Sequence, residues 1–351
     1  MNLSILKNKS ILVTGHTGFK GAWLCHILKL VGACVTGYAL EPVSGGVFEI
    51  ASVEEGMRSV IGDISDIELL NSVFEKAEPE IVIHMAAQPL VLESFERPVY
   101  TYATNVMGTI NLFECIRKSE TVKSLVVVTT DKVYKNNEWD YGYREIDTLG
   151  GSDPYSASKA CTEIVTESYR KSFLSNMPVS TTRAGNVIGG GDVAENRIIP
   201  DCVRAAKLRE PIIVRNPFSV RPYQHVLEPL FAYLLIATRQ LEDVGLSGSY
   251  NIGPKDIDHV TTGELTETFC RVWGEGQQWK STYSDSNAPP RESNLLKLDC
   301  SKMQAAFNWQ PVWNVREAVE RTVEWEKEND CRGNVKAVMD MQIEEYLGGM
   351  R

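Results

Sequence analysis

The sequence has little of what marks a metal-binding, secreted or membrane-spanning protein. Its five histidines form no H-x-x-x-H pair and its eight cysteines form no C-x-x-C pair, so we predict no metal and reduced, mostly buried thiols. The chain opens without a charged-then-apolar leader, and no apolar run approaches the roughly 18 residues of a membrane-spanning helix. We therefore expect a cytoplasmic protein without membrane contact.

An excess of basic residues is also missing. The chain has 36 Lys and Arg against 46 Asp and Glu, which gives a net charge of −10. Proteins that bind nucleic acid or anionic membranes in general rely on clustered basic side chains, so we predict no nucleic-acid partner. A small anionic ligand held by a few local arginines remains compatible with this charge.

A short strand near the start of the chain runs into a glycine-rich turn. The apolar segment 10–14 is followed by Gly15-His-Thr-Gly18-Phe-Lys-Gly21 and then by a helical pattern. Strand, glycine turn and helix are the context of a dinucleotide site, because the turn lets backbone approach a pyrophosphate and the helix N-terminus offers N–H donors. The spacing is G-x-x-G-x-x-G rather than the G-x-G-x-x-G of ordinary dehydrogenases.

Strands and helices alternate through the rest of the first half. The pattern predicts strands at 33–39, 59–61, 80–86, 124–129 and 178–183, and helices at 66–76, 99–118 and 154–173. Apolar, β-branched strands in this alternation indicate an α/β fold with a Rossmann-type, doubly wound parallel sheet. Ligands of such sheets bind beyond the carboxyl ends of the strands, where the glycine turn, Asp63, Ala86–Gln88, Thr130–Lys132 and Tyr155 all fall.

Tyr155 and Lys159 lie four residues apart at the start of a predicted helix, on one helix face. A free phenol has a pKa near ~10 and is a poor base at neutral pH. A nearby ammonium favours the phenolate and lowers that pKa by roughly 1–3 units. The pair can therefore take a proton from an alcohol while hydride leaves the same carbon. Taken alone, the Y-x-x-x-K spacing is weak, and a tyrosine and a lysine that merely share a surface helix would show it too.

Together these motifs make the chain resemble the extended short-chain dehydrogenase/reductase superfamily and, more narrowly, the CDP-glucose 4,6-dehydratase family. The narrower resemblance depends on the glycine turn and on four further motifs that follow in the order of the family. They are Thr129-Thr-Asp-Lys-Val-Tyr134, Arg183-Ala-Gly-Asn-Val-Ile-Gly-Gly-Gly-Asp192, Asn196-Arg-Ile-Ile-Pro200 and Arg221-Pro-Tyr-Gln-His-Val-Leu227.

The resemblance implies a lyase reaction on a nucleotide-linked hexose with bound NAD. C4 would be oxidised, water eliminated across C5 and C6, and hydride returned to C6, which gives a 4-keto-6-deoxy sugar for deoxysugar biosynthesis. Tyr155 would take the C4 hydroxyl proton and Lys159 would lower its pKa. Thr130 would hydrogen-bond the C4 oxygen, Asp131 would protonate the leaving hydroxyl, and Lys132 stands where related dehydratases carry a glutamate base.

The resemblance also implies which residues bind the two ligands. The predicted cofactor-binding residues are Gly15, Thr17, Gly18, Phe19, Lys20, Gly21, Asp63, Ile64, Ala86, Ala87, Gln88, Asn105, Thr129, Tyr155 and Lys159. The predicted substrate-binding residues are Asn186, Asn196, Arg215, Arg221, His225 and Arg291. The acidic residue that many relatives use for the adenosine ribose falls at Ala39, with Glu41 two residues on. No arginine stands there for a 2′-phosphate, so we expect NAD rather than NADP.

The length of 351 residues suits two closely joined domains. We predict an NAD-binding domain in residues 1–186 with a returning segment 226–253, and a substrate-binding domain in 187–225 and 254–351. The acidic helical stretch 316–347 is expected to be a solvated face of the smaller domain. Helices 99–118 and 154–173 are candidates for a homodimeric four-helix bundle, because superfamily relatives associate there.

Three alternatives stay open. A sugar epimerase or reductase of the same superfamily needs Tyr155 and Lys159 but has no use for Asp131 and Lys132. A dehydratase could act on another nucleotide-hexose, because Val193, Tyr223, Arg291 and Leu295 differ from the usual family residues and border the expected pocket. A catalytically silent nucleotide-binding protein on this scaffold would be expected to have lost a motif residue, whereas this chain keeps them.

Overall fold

A computed structural model describes residues 3–283 and 295–350. Within that part of the chain, seven strands form one parallel sheet in the order β11-β6-β5-β4-β1-β2-β3. They are β1 Ser10–Thr14, β2 Cys34–Ala39, β3 Arg58–Ile61, β4 Ile81–His84, β5 Ser124–Val128, β6 Val179–Ala184 and β11 Ser249–Ile252. The predicted doubly wound sheet is confirmed, and β1 has the predicted bounds.

Short strand pairs lie outside the main sheet. They are formed by β7 Val187–Ile188 with β10 Gln224–His225, by β9 Val220–Arg221 with β12 Val260–Thr261, and by β8 Ile212–Val214 with β13 Trp279–Ser281. The helices are α1 Phe19–Leu30, α2 Val47–Ile50, α3 Ile67–Ala77, α4 Val91–Glu96, α5 Pro98–Tyr102, α6 Gly108–Lys118, α7 Pro154–Ser172, α8 Ile198–Lys207, α9 Leu227–Glu242, α10 Thr262–Trp273, α11 Ser301–Phe307, α12 Val315–Asp330 and α13 Val335–Gly349.

The sheet is buried on both faces because its strands alternate side chains between two cores. In β1, Ile11 and Val13 belong to one core and Leu12 to the other. The first core lies under α1 and α9, the second under α3 and α6. A third core joins α8, α10 and part of α12 around the short strand β8, and it supports the smaller domain. The domain boundaries themselves stay a prediction.

The predicted helix 99–118 is interrupted. A π-helical turn, Ala103–Met107, separates α5 from α6. The Asn105 carbonyl there accepts hydroxyl hydrogen bonds from Thr109 at 2.7 Å and Thr162 at 2.9 Å. π-helical turns occur mostly at functional sites, and this one lies against the helix that carries Tyr155.

The expectation of a solvated C-terminal stretch is wrong. The stretch divides into α12 and α13, and α13 buries Met339, Ile343 and Tyr346 in the first core against α9. Tyr346 stacks on Phe231 of α9 with ring centroids 4.8 Å apart. The acidic composition of the stretch concealed this buried stripe.

Cysteine packing follows the prediction in part. All eight cysteines are unpaired thiols, of which Cys25, Cys115, Cys202 and Cys270 are buried while Cys34 and Cys331 are exposed. No helix in residues 3–283 and 295–350 is long and apolar enough to cross a membrane.

Candidate active site

The glycine turn is closed so tightly that side chains would block it. Gly15 has a φ of 78°, and a Cβ on it would lie 2.8 Å from the Ala86 nitrogen. A Cβ on Gly21 would lie 2.1 Å from the Gly15 carbonyl oxygen. Gly18 begins α1 without a side-chain cap, so the first backbone N–H groups of α1 are not covered by a capping side chain. The turn therefore fits the pyrophosphate of a dinucleotide.

The ends of β2 and β3 flank the turn. The Thr17 hydroxyl donates to the Leu40 carbonyl at 2.8 Å, which holds the turn against the residue after β2. Ala39 is buried, whereas Glu41 is exposed two residues further on. The Asp63 carboxylate accepts from the Ser65 N–H at 2.8 Å at the carboxyl end of β3. The end of β2 thus offers no carboxylate of its own to an adenosine ribose.

The loop after β4 is tied to two helices. The Gln88 N–H donates to the Asn105 side chain at 2.8 Å, and the Asn105 amide donates back to the Gln88 carbonyl at 3.1 Å and to the Ser158 hydroxyl at 2.8 Å. Ser158 in turn donates to the Tyr155 carbonyl at 2.7 Å. The predicted cofactor residues Ala86–Gln88 and Asn105 are thereby fixed relative to α7.

Tyr155, Thr130 and Asp131 come together at the carboxyl edge of the sheet. Asp153 caps α7 by accepting from the Ser156 N–H at 2.9 Å, which places Tyr155 in the first turn. Burial raises the pKa of Tyr155 to about 12, against a hydrogen bond with Thr130 that lowers it. The Thr130 hydroxyl also donates to the Asp131 carboxyl at 3.0 Å. The hydroxyl that is predicted to hold the substrate oxygen thus contacts both the predicted base and the predicted acid.

The Lys159 ammonium is buried and donates to the Val128 carbonyl at 3.0 Å. Burial lowers the pKa of Lys159 to about 8, while the charge of Glu163 raises it. The direction of the Tyr155 pKa is opposite to the predicted one, because burial of the phenol outweighs the hydrogen bond with Thr130 and the charge of Arg197, which lower that pKa. The spacing of the pair was predicted, but not the burial of Lys159.

Asp131 is a buried carboxyl whose surroundings favour its protonated form. It is 2% exposed, and its Oδ2 atom has no hydrogen-bond partner among the described residues. Burial raises the pKa of Asp131, against the lowering effects of Lys132, of the hydrogen bond from Thr130 and of Arg221. A buried carboxyl with one oxygen that lacks a hydrogen-bond partner is suited to donate a proton to a leaving group. Lys132 follows directly, half-buried, with its N–H at 3.4 Å from the Thr130 hydroxyl.

Two further cations belong to this cluster. Lys20 of the glycine turn has its pKa lowered to about 7, first by burial and then by the charges of Lys159 and Arg197. Its Nζ atom lies 3.5 Å from the Tyr233 hydroxyl. Arg197 is the N-cap residue that precedes α8. It forms an ion pair with Asp192 at 3.1 Å, and its charge lowers the pKa of Tyr155. The sequence analysis predicted no role for Arg197. The signal that could have identified it was its place in the motif that begins at Asn196.

The predicted substrate residues are distributed unevenly. Arg221 is buried in β9 and its charge acts on Asp131, whereas Arg215 is exposed directly after β8. Asn196 is exposed before α8 with a φ of 61°. The Asn186 carbonyl accepts from Gln224, and this joins β7 to β10. Arg291 lies outside the described residues.

His225 belongs to the core rather than to the substrate pocket. It is fully buried between Trp23 and Trp313, with ring centroids 6.1 and 4.9 Å away. Burial lowers its pKa to about 3, so the ring is neutral, and its Nδ1 atom accepts from the Leu227 N–H at 3.3 Å. Its place inside a motif suggested a ligand contact, but long-range packing decides its role.

Comparison with known proteins agrees with the fold and the motifs. Residues 12–322 match the family described as GDP-mannose 4,6 dehydratase. The chain is 44% identical to the CDP-glucose 4,6-dehydratase of Salmonella typhimurium over 330 residues, which covers 92% of this chain and 91% of the relative. It is 27% identical to the dTDP-glucose 4,6-dehydratase of Haemophilus influenzae over 338 residues, 90% of this chain and 97% of the relative.

Solved structures of similar fold include an epimerase. The UDP-glucose 4-epimerase of Thermus thermophilus in complex with NAD superposes with a TM-score of 0.79 at 25% identity, over 90% of this chain and 98% of the other. The sheet order, the glycine turn and the Tyr155–Lys159 pair define an extended short-chain dehydrogenase/reductase. Within that class, the chain belongs to the GDP-mannose 4,6 dehydratase family, which confirms the predicted resemblance to nucleotide-sugar 4,6-dehydratases.

Proposed function

We propose that the protein is an NAD-dependent nucleotide-sugar 4,6-dehydratase that converts CDP-glucose to CDP-4-keto-6-deoxyglucose. The observation that carries the reaction type is the buried Asp131 carboxyl, whose Oδ2 atom has no hydrogen-bond partner among the described residues, one residue from Thr130 and beside Tyr155. Simple C4 oxidation has no use for such an acid, whereas loss of the C6 hydroxyl needs one. The choice of CDP-glucose is supported by the 44% identity to the Salmonella typhimurium enzyme.

The assignment of NAD as cofactor is supported by the structure of the glycine turn, in which neither Gly15 nor Gly21 has room for a Cβ. The turn, the α1 N-terminus, Asp63 and the loop Ala86–Gln88 would hold the dinucleotide at the carboxyl edge. When bound, NAD supplies a hydride acceptor for C4 and a hydride donor for C6.

The side chains of this chain carry the proton steps. Tyr155, in its phenolate form, takes the proton of the C4 hydroxyl, which Thr130 orients through its own hydroxyl. Burial of the phenol opposes that form, and the positive charge of a bound nicotinamide would favour it. The C4 ketone that results acidifies the C5 proton, which Lys132 removes and later gives back to C5 when the C5–C6 double bond is reduced. Asp131 then donates its proton to the departing C6 hydroxyl, so that water leaves across C5 and C6. Burial raises the pKa of Asp131, which favours the protonated form that this step needs.

The substrate would be bound between the sheet edge and the smaller domain. Arg221 faces Asp131 and, with Arg197, offers positive charge to a nucleotide diphosphate. Asn186 and Asn196 border the same region in sequence. Arg215 and Arg291 are the remaining candidates for binding the nucleotide sugar.

We also propose a homodimer. The helices next to the active site leave apolar side chains in solvent: Val99 is 81% exposed, Ile164 60% and Met107 52%. Such a face on α5, the π-helical turn and α7 is suited to pack against its own copy as a four-helix bundle. A monomer by light scattering would contradict this.

The eight free thiols support a cytoplasmic setting.

The test is to supply purified protein and NAD with CDP-, UDP-, GDP- and dTDP-glucose in parallel. We expect CDP-glucose to give a product with 4-keto absorbance and no net NADH. Conversion of another nucleotide-glucose alone would overturn the CDP assignment. Steady NADH accumulation, or epimerised sugar without water loss, would overturn the dehydratase assignment.

A further inference from the structure

One buried carboxylate lies a helical turn beyond Lys159 and takes no part in the chemistry described above. Glu163 is four residues after Lys159 on α7, and it is 3% exposed. Its carboxylate accepts hydrogen bonds from four side chains on three strands or strand ends: Thr129, Thr181 at 2.7 Å, Arg183 at 2.9 Å and Ser249 at 3.3 Å.

We propose that Glu163 is a positioning residue of the dehydratase: its carboxylate sets the register of α7 on the sheet and keeps Lys159 cationic beside Tyr155. This inference deepens the proposed function and rests on it.

The register argument follows from two adjacent anchors. The Lys159 ammonium donates to the Val128 carbonyl, and Glu163 accepts from the hydroxyl of Thr129, the next residue along the chain. Two contacts one helical turn apart fix both the rotation and the sliding of α7 against β5. Because Tyr155 is on α7 and Thr130 follows β5, the same contacts fix the distance between base and substrate oxygen.

The charge argument concerns the cost of burying an ammonium. A lysine removed from water tends to lose its proton unless a negative charge lies nearby. Glu163 is the opposite charge on the same helix, and it opposes the burial that lowers the Lys159 pKa to about 8. Lys20 and His84 are further titratable groups near Lys159, and the charge of Lys159 lowers the pKa of both.

Arg183 is the cation that pairs with the Glu163 carboxylate. Its guanidinium forms an ion pair with Glu163 with both side chains almost fully buried, and it also donates to the Tyr134 hydroxyl at 2.9 Å. The carboxylate is therefore not left as an isolated buried charge. The ion pair explains how an acidic side chain is accommodated in the core this close to Lys159.

The experiment is the pH profile of kcat/KM for the nucleotide sugar with NAD, because kcat/KM reports groups of the free enzyme. We expect the wild type to lose activity above the pKa of Lys159, near pH 8. In Glu163→Gln, which keeps the shape but not the charge, the alkaline limb should move down by about one pH unit. Glu163→Asp should restore most of the wild-type limb, because the charge is retained.

Two further variants separate charge from structure. Thr181→Val removes one hydrogen bond to the carboxylate but no charge, so its alkaline limb should stay where it is in the wild type. Glu163→Gln combined with Arg183→Met removes the ion pair altogether and leaves no unpaired buried charge. If Glu163→Gln alone does not fold, the double variant should still show the lowered limb.

The outcomes distinguish this inference from the proposed function. If the wild type converts no nucleotide sugar, the proposed function fails. If the wild type is active while the charge-removing variants lose stability or kcat at every pH with an unmoved alkaline limb, Glu163 is only a structural residue and the inference fails.

Discussion

Two buried carboxyl groups in this protein have the same direction of pKa shift and opposite roles. Asp131 and Glu228 are both almost inaccessible, and burial raises the pKa of each. Glu228 accepts from the Val312 and Trp313 N–H groups and from the Tyr346 hydroxyl at 2.6 Å. Asp131 keeps one oxygen without a partner among the described residues.

The difference teaches that burial and a raised pKa do not by themselves identify a catalytic acid. Glu228 uses its hydrogen-bonding capacity to hold the segment before α12 and the last helix against α9, so it is a structural anchor. Asp131, next to Tyr155 and Thr130, keeps one oxygen without a hydrogen-bond partner among the described residues, so it has capacity left for a ligand. Unsatisfied capacity, rather than the pKa, separates the two.

The largest expected effect comes from the loss of the Tyr155 hydroxyl, the proposed base next to Asp131. Tyr155→Phe removes the hydroxyl and leaves the ring, so turnover of CDP-glucose should fall by roughly 10³–10⁴. NAD affinity, measured by calorimetry, and the melting temperature should change little. Turnover within tenfold of the wild type would show that another group takes the C4 proton.

Asp131→Asn should slow water loss by roughly 10²–10³ and spare C4 oxidation. Reduced cofactor should then accumulate transiently in a single-turnover experiment, because hydride cannot return to C6 before water has left. Since Asp131 is buried with an unpaired oxygen, the amide should not lower the free energy of unfolding. If C4 oxidation and water elimination slow equally, or if the variant is clearly less stable, Asp131 is not distinguished from the structural carboxyl of Glu228.

Glu228→Gln tests the other side. The pKa of the Glu228 carboxyl is raised from 4.5 to about 7, so the folded state holds a proton that the unfolded state releases. Its contribution to stability is therefore complete below pH 4.5 and declines as pH rises to about 7, by on the order of 3 kcal/mol. The melting temperature of the wild type should fall from pH 5 to pH 8, and that of the variant should fall less.

The matched control is Glu242→Gln, at the exposed end of the same helix. Its melting temperature should follow the wild type at both pH values. kcat of Glu228→Gln should also remain near that of the wild type, measured where both proteins are folded. Parallel pH dependence in Glu228→Gln and the wild type would contradict the anchor role.

The fold and the catalytic edge were predictable because their signals are local. The glycine turn, Thr130–Asp131 and the Tyr155–Lys159 pair each lie within a few residues of a strand or helix end, and the parallel sheet brings those ends together. The roles of His225 and Glu228 were not predictable, because they depend on Trp313 and Tyr346, which come about 90 to 120 residues later. The acidic surface of α13 likewise hid the face that it buries.

Arg215 and Arg221, both in the predicted smaller domain, test this distinction between local motifs and long-range packing. Their substitutions have the smallest expected effects of the variants considered. Both were selected as phosphate ligands, but Arg221 is buried with its charge directed at Asp131, and Arg215 is exposed. A charged hydrogen bond is worth about 1.5–3 kcal/mol, so Arg221→Gln should raise KM for CDP-glucose by at least about tenfold. Arg215→Gln should change KM by no more than about threefold. Because Arg221 also lowers the pKa of Asp131, its loss should extend activity to higher pH wherever Asp131 limits the rate, and Arg215→Gln should not. If Arg215→Gln has the larger effect on KM, the nucleotide lies further from Asp131 than burial and the motif around Arg221 both indicate.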